Sequence, residues 1–281
     1  MRALLPLTLA LVLAACGGGD DYAADMQHEH GHETPTASPA VADVDTTTTR
    51  GRMVEYATFE GRPVRGFLAE PVLAETLAAR PGLVIFHEWW GLNDNARLMA
   101  RRFAAEGYVV LAVDLYAGQV AATPEEARAF MEQAIGRSTA LMETVQQGIT
   151  YLRESEYAIR IGTVGWCFGG GWSLETALAL PEDVDAAVMY YGQVVTDPTQ
   201  LANLDAPLLG LFGGADTSIP VADIRAMETT LRELDKPVEI HIYDGAGHGF
   251  ANPSGQRYNA AAAEDAWEET TEFLERVIGE W

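Results

Sequence analysis

Residues 160–171, RIGTVGWCFGGG, decide the fold. Arg160–Trp166 reads as a strand, and Phe168–Leu180 reads as the helix that follows it. Between them stands Gly165-Trp166-Cys167-Phe168-Gly169, a cysteine with a glycine two residues to either side. That spacing lets strand and helix close tightly around a strained turn and pushes the cysteine side chain out at the sheet edge. A helix starting near Phe168 aims its free N–H groups and positive end at the sulfur, which favours thiolate. The bland alternative is a buried cysteine serving as a small apolar residue.

Working outward, the same alternation continues. Gly82–Glu88, Tyr108–Asp114, Asp185–Tyr191, Pro207–Phe212 and Pro237–Tyr243 are short apolar runs typical of strands covered on both faces. Helical stretches separate them: Asn93–Glu106, a long region from Thr123 to about Glu156 broken near Gly136, Pro220–Leu234 and Ala260–Ile278. Thr123-Pro124-Glu125-Glu126 is a capping box with proline at the first helical position. Arg52–Thr58 and Pro63–Glu70 alternate as a hairpin does. Strands alternating with helices predict an α/β domain with a mostly parallel sheet and helices on both faces. The domain runs from 51 to 281, roughly 230 residues without an internal linker or repeat. Ligands of such sheets sit beyond the carboxyl ends of the strands, so chemistry is expected just after each strand.

The first 50 residues read differently. MRALLPLTLALVLAAC is a short apolar leader behind one arginine, too short to span a bilayer. Leu13-Ala14-Ala15-Cys16 resembles a bacterial lipobox, in which Cys16 is lipidated and becomes the first mature residue; an ordinary leader with a chance cysteine is the alternative. The expectation is a leader over 1–15, a lipidated flexible linker over 16–50, and a lipid-anchored protein of the cell envelope. Within the linker, His28, His30 and His32 with flanking acids could collect a metal ion, or be no more than polar spacer.

Composition excludes other classes. The 281 residues carry 41 Asp and Glu against 18 Lys and Arg, a formal net charge of −23. A surface this acidic repels phosphate backbones and anionic lipid, so no nucleic-acid partner is expected. Apart from the leader cysteine, Cys167 is the single thiol, so no intramolecular disulfide is expected in the mature chain.

A nucleophile in a strand–helix turn needs a base and an acid to orient it, supplied in the order nucleophile, acid, histidine. Pro207–Phe212 leads into Gly213-Gly214-Ala215-Asp216, and Pro237–Tyr243 into Asp244 through His248-Gly249-Phe250. The expected set is therefore Cys167, Asp216 and His248, with Asp244 as a rival acid. Alone, Asp216 could be a helix cap and His248 a surface-loop histidine. An oxyanion hole would use the N–H of Phe168 and, after strand Gly82–Glu88, that of Trp89. Glu88 at the same strand end could accept a hydrogen bond from a neutral thiol or be a solvated acid.

His87-Glu88-Trp-Trp-Gly-Leu-Asn93, Val113-Asp114-Leu115-Tyr116, Gly165-Trp-Cys167-Phe-Gly-Gly170, Gly214-Ala-Asp216 and Gly247-His248-Gly-Phe250 together resemble dienelactone hydrolase. The resemblance covers nearly all of 52–280. It implies an α/β-hydrolase that opens a lactone or ester through a cysteine acyl-enzyme, with Glu88 holding the resting thiol neutral until substrate binds. The family also places two arginines around a substrate carboxylate. One belongs where this chain has Asn252, with Arg257 five residues on; Arg128 could match the other or be an ordinary helix arginine. Asparagine cannot replace an arginine's charge or fork, which sets this chain apart from dienelactone-specific enzymes.

The expected activity is hydrolysis of a small ester or lactone by a monomer needing no metal or organic cofactor. Trp90, Tyr116 and Phe250, with Trp89, would line an apolar pocket. The rivals are a thioesterase or acyltransferase acting on envelope acyl groups, and a non-catalytic binding lipoprotein.

Overall fold

The computed structural model describes residues 19–33, 35, 47–72 and 80–279. The leader, Cys16 and linker residues 17, 18, 34 and 36–46 lie outside the described residues.

Eight strands form one sheet: β1 (Thr49–Phe59), β2 (Arg62–Pro71), β3 (Arg80–Phe86), β4 (Val109–Val113), β5 (Ala158–Trp166), β6 (Ala186–Tyr190), β7 (Leu208–Gly213) and β8 (Val238–Tyr243). Their order is β1-β2-β4-β3-β5-β6-β7-β8. The hairpin β1–β2 is antiparallel and β2 joins β4 antiparallel; β4 through β8 are all parallel. The buried runs are apolar on both sides because helices cover both faces. A Cβ added at Gly82 would meet Leu152, whereas one at Gly162 would meet Leu83 and Ile278. Gly82 and Leu83 alternate across the pleat, so Leu152 and Ile278 belong to opposite layers.

The helices are α1 (Gly19–His30), α2 (Asp94–Ala105), α3 (Pro124–Ile135), α4 (Ser138–Ser155), α5 (Phe168–Ala179), α6 (Pro198–Leu201), α7 (Val221–Glu233) and α8 (Ala260–Ile278). Leu152 lies on α4 and Ile278 on α8. Helix α2 is capped by Asn93 and α3 by Thr123, whose side chains accept from the N–H groups of Ala96 and Glu126. The break expected near Gly136 separates α3 from α4. The one-turn helix α6 was not anticipated; its local signal is Asp197 capping Thr199 ahead of Pro198. No helix of the described residues is long and apolar enough to cross a membrane.

The expectation of a flexible spacer over 16–50 needs correction for residues 19–30, which form α1. Tyr22, Ala23, Met26 and His30 make one stripe of that helix, and all four are buried. A twelve-residue helix is marginal alone in water. Burying Tyr22 and Met26 contributes roughly 1.5–3 kcal/mol each, so tertiary packing stabilises what local composition does not.

Candidate active site

The turn after β5 has the predicted form. Cys167 sits between β5 and α5 at φ 54°, ψ −121°, a left-handed-side conformation that costs a non-glycine residue about 1–3 kcal/mol. The flanking glycines are obligatory. A Cβ at Gly165 would lie 1.9 Å from the Gly169 carbonyl oxygen, and one at Gly169 would lie 2.3 Å from that of Phe86. Strand β3, strand β5 and the start of α5 therefore converge at van der Waals limits on the sulfur. Phe168 opens α5, so its N–H has no partner within the helix.

Asp216 and His248 meet as expected. Asp216 follows β7 and His248 follows β8. His248 Nδ1 lies 2.8 Å from Asp216 Oδ2, with both side chains buried. The other oxygen, Oδ1, accepts the N–H groups of Ser218 and Ile219 at 2.8 and 3.0 Å. So Asp216 does hold its own turn, and its second oxygen is left for the histidine. Asp216, not Asp244, is the acid that meets His248. His248 Nε2 is buried without a hydrogen-bond partner, and the histidine's ligating nitrogen lies within 4.8 Å of the Cys167 sulfur.

Charges in this enclosure set one another. Burial opposes ionisation of Cys167, but positive His248 beside it brings the thiol down to about 6. Burial opposes protonation of His248, yet negative Cys167 and Asp216 carry it up to about 10. Asp216 is held below the usual carboxylate range: burial works against it, and the bond to His248 prevails. A thiolate–imidazolium pair is thus the favoured form at neutral pH.

Glu88 stands at the end of the β3 run, and lines the same small cavity as Cys167. Its carboxylate accepts from Tyr191 Oη at 3.2 Å and from Asn252 Nδ2. Burial, then the negative charge on Cys167, push Glu88 up to about 7. The neutral resting thiol that the resemblance implies differs from this arrangement. Here Glu88 is bonded to Tyr191 and Asn252, and the imidazolium beside the sulfur favours thiolate. Trp89 follows Glu88 in a turn closed by Gly91 N–H on the Glu88 carbonyl, 3.1 Å. His87 ties this turn to the end of β4: Leu115 N–H donates to Nε2 at 3.1 Å, leaving Nδ1 to donate to the Glu88 carbonyl at 2.6 Å.

Aromatic rings form the walls. Tyr116 stacks on Phe168 at 5.9 Å, Trp90 packs on Trp89 at 4.9 Å, and Phe250 packs on Tyr191 at 5.3 Å. Tyr191 also meets His248 edge-on at 5.2 Å. Sequence reasoning passed over Tyr191, although it lies just after a strand, where chemistry was expected.

The unforeseen feature is α1, which lies over the nucleophile. Met26 Sδ is 3.5 Å from Cys167 Sγ. The His30 ring lies 4.7 Å from that of Trp89 and 5.4 Å from that of His248. Cys167 is only 1% exposed, and the cavity beside it holds about 10 Å³, no more than one water. Both arginines weighed for a substrate carboxylate hold this helix instead. Arg128 Nη1 donates to Gln27 Oε1 at 2.8 Å. Arg257 donates to the Glu29 carboxylate and carbonyl and pairs with Glu33 at 3.0 Å. Thr217 and Ser218 donate to Glu29 as well, at 3.0 and 3.3 Å. Of the three linker histidines, only His30 faces the site; His28 and His32 are exposed.

Comparison with known proteins agrees with this architecture. A family model described as the Dienelactone hydrolase family matches residues 64–278. Protein usf of Aquifex pyrophilus is 28% identical over 235 residues, covering 81% of this chain and 99% of that protein. A Saccharolobus solfataricus protein with the provisional name carboxymethylenebutenolidase is 30% identical over 254 residues, covering 78% of this chain and 96% of its own. The crystal structure of a provisionally named dienelactone hydrolase from Klebsiella pneumoniae matches with a TM-score of 0.72, over 83% of this chain and 99% of that one. It is 24% identical and shares the fold.

Proposed function

Because the chain belongs to the dienelactone hydrolase family, we propose that it hydrolyses a small ester or lactone through a cysteine acyl-enzyme. The observation that carries the reading is the buried line Asp216–His248–Cys167, with 2.8 Å between the acid and the base. The Cys167 thiolate adds to the carbonyl carbon, and the N–H groups of Phe168 and Trp89 take the oxyanion. The tetrahedral intermediate collapses by breaking the acyl carbon–oxygen bond, and the His248 imidazolium gives its proton to the leaving alkoxide. Neutral His248 then takes a proton from water. The hydroxide attacks the thioester, and the carboxylic acid leaves as thiolate and imidazolium re-form. Asp216 fixes the tautomer and orientation of His248 throughout.

Substrate enters once α1 has moved, since that helix fills the space over the sulfur. Arg257 lines the Cys167 cavity together with Asn252 and already holds carboxylates, so with α1 displaced it stands in for the arginine absent at Asn252. Esters or lactones carrying an acidic group are therefore favoured, held by one arginine. We further infer that Cys16 carries a lipid and tethers the enzyme to the envelope membrane, on the strength of the leader pattern alone. A panel of aryl esters, simple lactones and dienelactones, with and without a carboxylate, tests the reading. A mass increase on Cys167 equal to the acyl group under rapid quench is the expected result. No turnover and no adduct across the panel would overturn it.

A further inference from the structure

The groups that α1 brings to the nucleophile form a donor set. His30, Cys167 and His248 are all buried, and one ligating atom from each lies within 4.8 Å of the others. Both imidazoles have Nδ1 beside a carboxylate, and His30 alone also has a guanidinium there. His248 has Nδ1 on the Asp216 carboxylate at 2.8 Å, and His30 has Nδ1 on the Glu33 carboxylate at 2.8 Å. Glu33 is in turn anchored by Arg257 at 3.0 Å, and Arg257 Nη2 stands 2.9 Å from the same His30 nitrogen. In both rings Nε2 is buried and has no hydrogen-bond partner. A carboxylate on one ring nitrogen, with the other nitrogen free, is how proteins orient a metal-binding histidine. The thioether of Met26 stands 3.5 Å from the sulfur.

We propose that the α1-closed form binds a soft or borderline d¹⁰ cation, Zn²⁺ or Cu⁺, through His30, His248 and Cys167, with the Met26 thioether as the fourth donor. Thiolate, imidazole and thioether together select these ions over hard cations. Bonds of about 2.0–2.3 Å in a tetrahedron set ligand separations near 3.5 Å, so separations of up to 4.8 Å close by up to about 1.3 Å on metal uptake. Three of the four donors come from outside the Asp216–His248 pair, and two of those come from α1, which precedes the residues 64–278 matched by the family model. Metal bound here occupies both the nucleophile and the base, and ties α1 over them. The cation is therefore an occupant that excludes substrate. His28 and His32 are exposed and take no part in this site, so it is not a histidine-rich tail collecting metal by itself.

The test uses detergent-solubilised full-length protein stripped of metal and titrated with Co²⁺, then Zn²⁺ or Cu⁺. Expected are one equivalent of Co²⁺ with a thiolate-to-metal band in the near ultraviolet, and its displacement by Zn²⁺ and Cu⁺. Affinity should fall at least tenfold in His30→Gln, and the band should vanish in Cys167→Ser. His28→Ala/His32→Ala should leave both unchanged. Absence of a thiolate band in the wild type, or equal affinity in wild type and His30→Gln, would overturn the site. So would loss confined to the double variant. Circular dichroism of each variant shows that the fold is retained. The readout is spectroscopic, so it stands or falls separately from ester hydrolysis.

Discussion

Met26 Sδ rests 3.5 Å from Cys167 Sγ although 141 positions separate them in the chain. A helix from the N-terminal segment thus closes the space into which a substrate carbonyl would have to come.

The first expectation concerns that closure. Met26→Glu places a carboxylate against the Cys167 thiolate in a buried pocket, a desolvated like-charge contact that favours departure of α1. Iodoacetamide should then label Cys167 at least tenfold faster than in the wild type. The labelling should have a midpoint well below the ordinary thiol value of about 8.5, because His248 remains beside the sulfur. Equal labelling rates would mean that α1 does not shield the site.

The second concerns the nucleophile and its acid. Cys167→Ala should abolish turnover with an unchanged circular dichroism spectrum, since it removes the attacking sulfur and little volume. Cys167→Ser should retain little, because a neutral hydroxyl needs a stronger base. Asp216→Asn should lower kcat by about a hundredfold or more by presenting the wrong partner to His248 Nδ1. Asp216→Ala should in addition cost about 1–3 kcal/mol in urea unfolding, as the amides of Ser218 and Ile219 lose their acceptor. A wild-type rate in the alanine variant at 167 would sink the acyl-enzyme.

Glu88 gives a pH signature with a definite sign. Its folded value of about 7 lies above the unfolded value of about 4.3. Between those values the folded protein holds a proton that the unfolded chain has released, so this group's contribution to stability falls as pH rises. Glu88→Gln removes the titration. The melting temperature of the variant relative to wild type should therefore climb from about pH 4.5 to about pH 7 and then level off. A flat difference over that window would show that Glu88 titrates as a solvated acid.

Gly169→Ala should prevent folding or destabilise it severely. Its Cβ would lie 2.3 Å from the Phe86 carbonyl oxygen and 2.6 Å from that of His87, and neither backbone can retreat without parting β3 from α5. Gly245→Ala is the contrast, for nothing lies within 4 Å of the new Cβ. Its φ of 73° makes it cost about 1 kcal/mol through backbone strain alone.

The anchor is tested at the N-terminus. Wild-type protein should partition with membranes and carry a lipid mass on Cys16, and Cys16→Ser should be released or left unprocessed. An unmodified mature N-terminus by mass spectrometry would end the lipoprotein reading.

Most of the parallel sheet was legible because each of its strands is a short apolar run bounded by turn residues, and α2, α3 and α8 start behind a capping side chain. Arg160–Gly169 was the clearest case: a cysteine with a glycine two residues to either side, between a strand and a helix, marks a tight strand–helix turn. Asp216 and His248 followed from chain order and strand ends. The occupancy of the site was not legible. Arg257 and Arg128 are single basic residues in polar stretches, and nothing local shows that they hold Glu29, Glu33 and Gln27. Tyr191 reads as the last apolar residue of a strand until its hydroxyl is seen on Glu88.

The amino-acid sequence by itself determined the α/β order of elements, the strand–helix turn that carries Cys167, and the strand ends after which candidate acids and a histidine follow, because these depend on local periodicity and backbone sterics. Only the tertiary structure decided which acid meets His248, what Glu88 is bonded to, and that α1 covers the sulfur. Those outcomes depend on long-range packing. Tyr22, Met26 and His30 form an apolar-facing stripe too short to hold a helix in water, and it becomes a helix only where Trp89, Cys167 and Arg257 supply the other half of the contact.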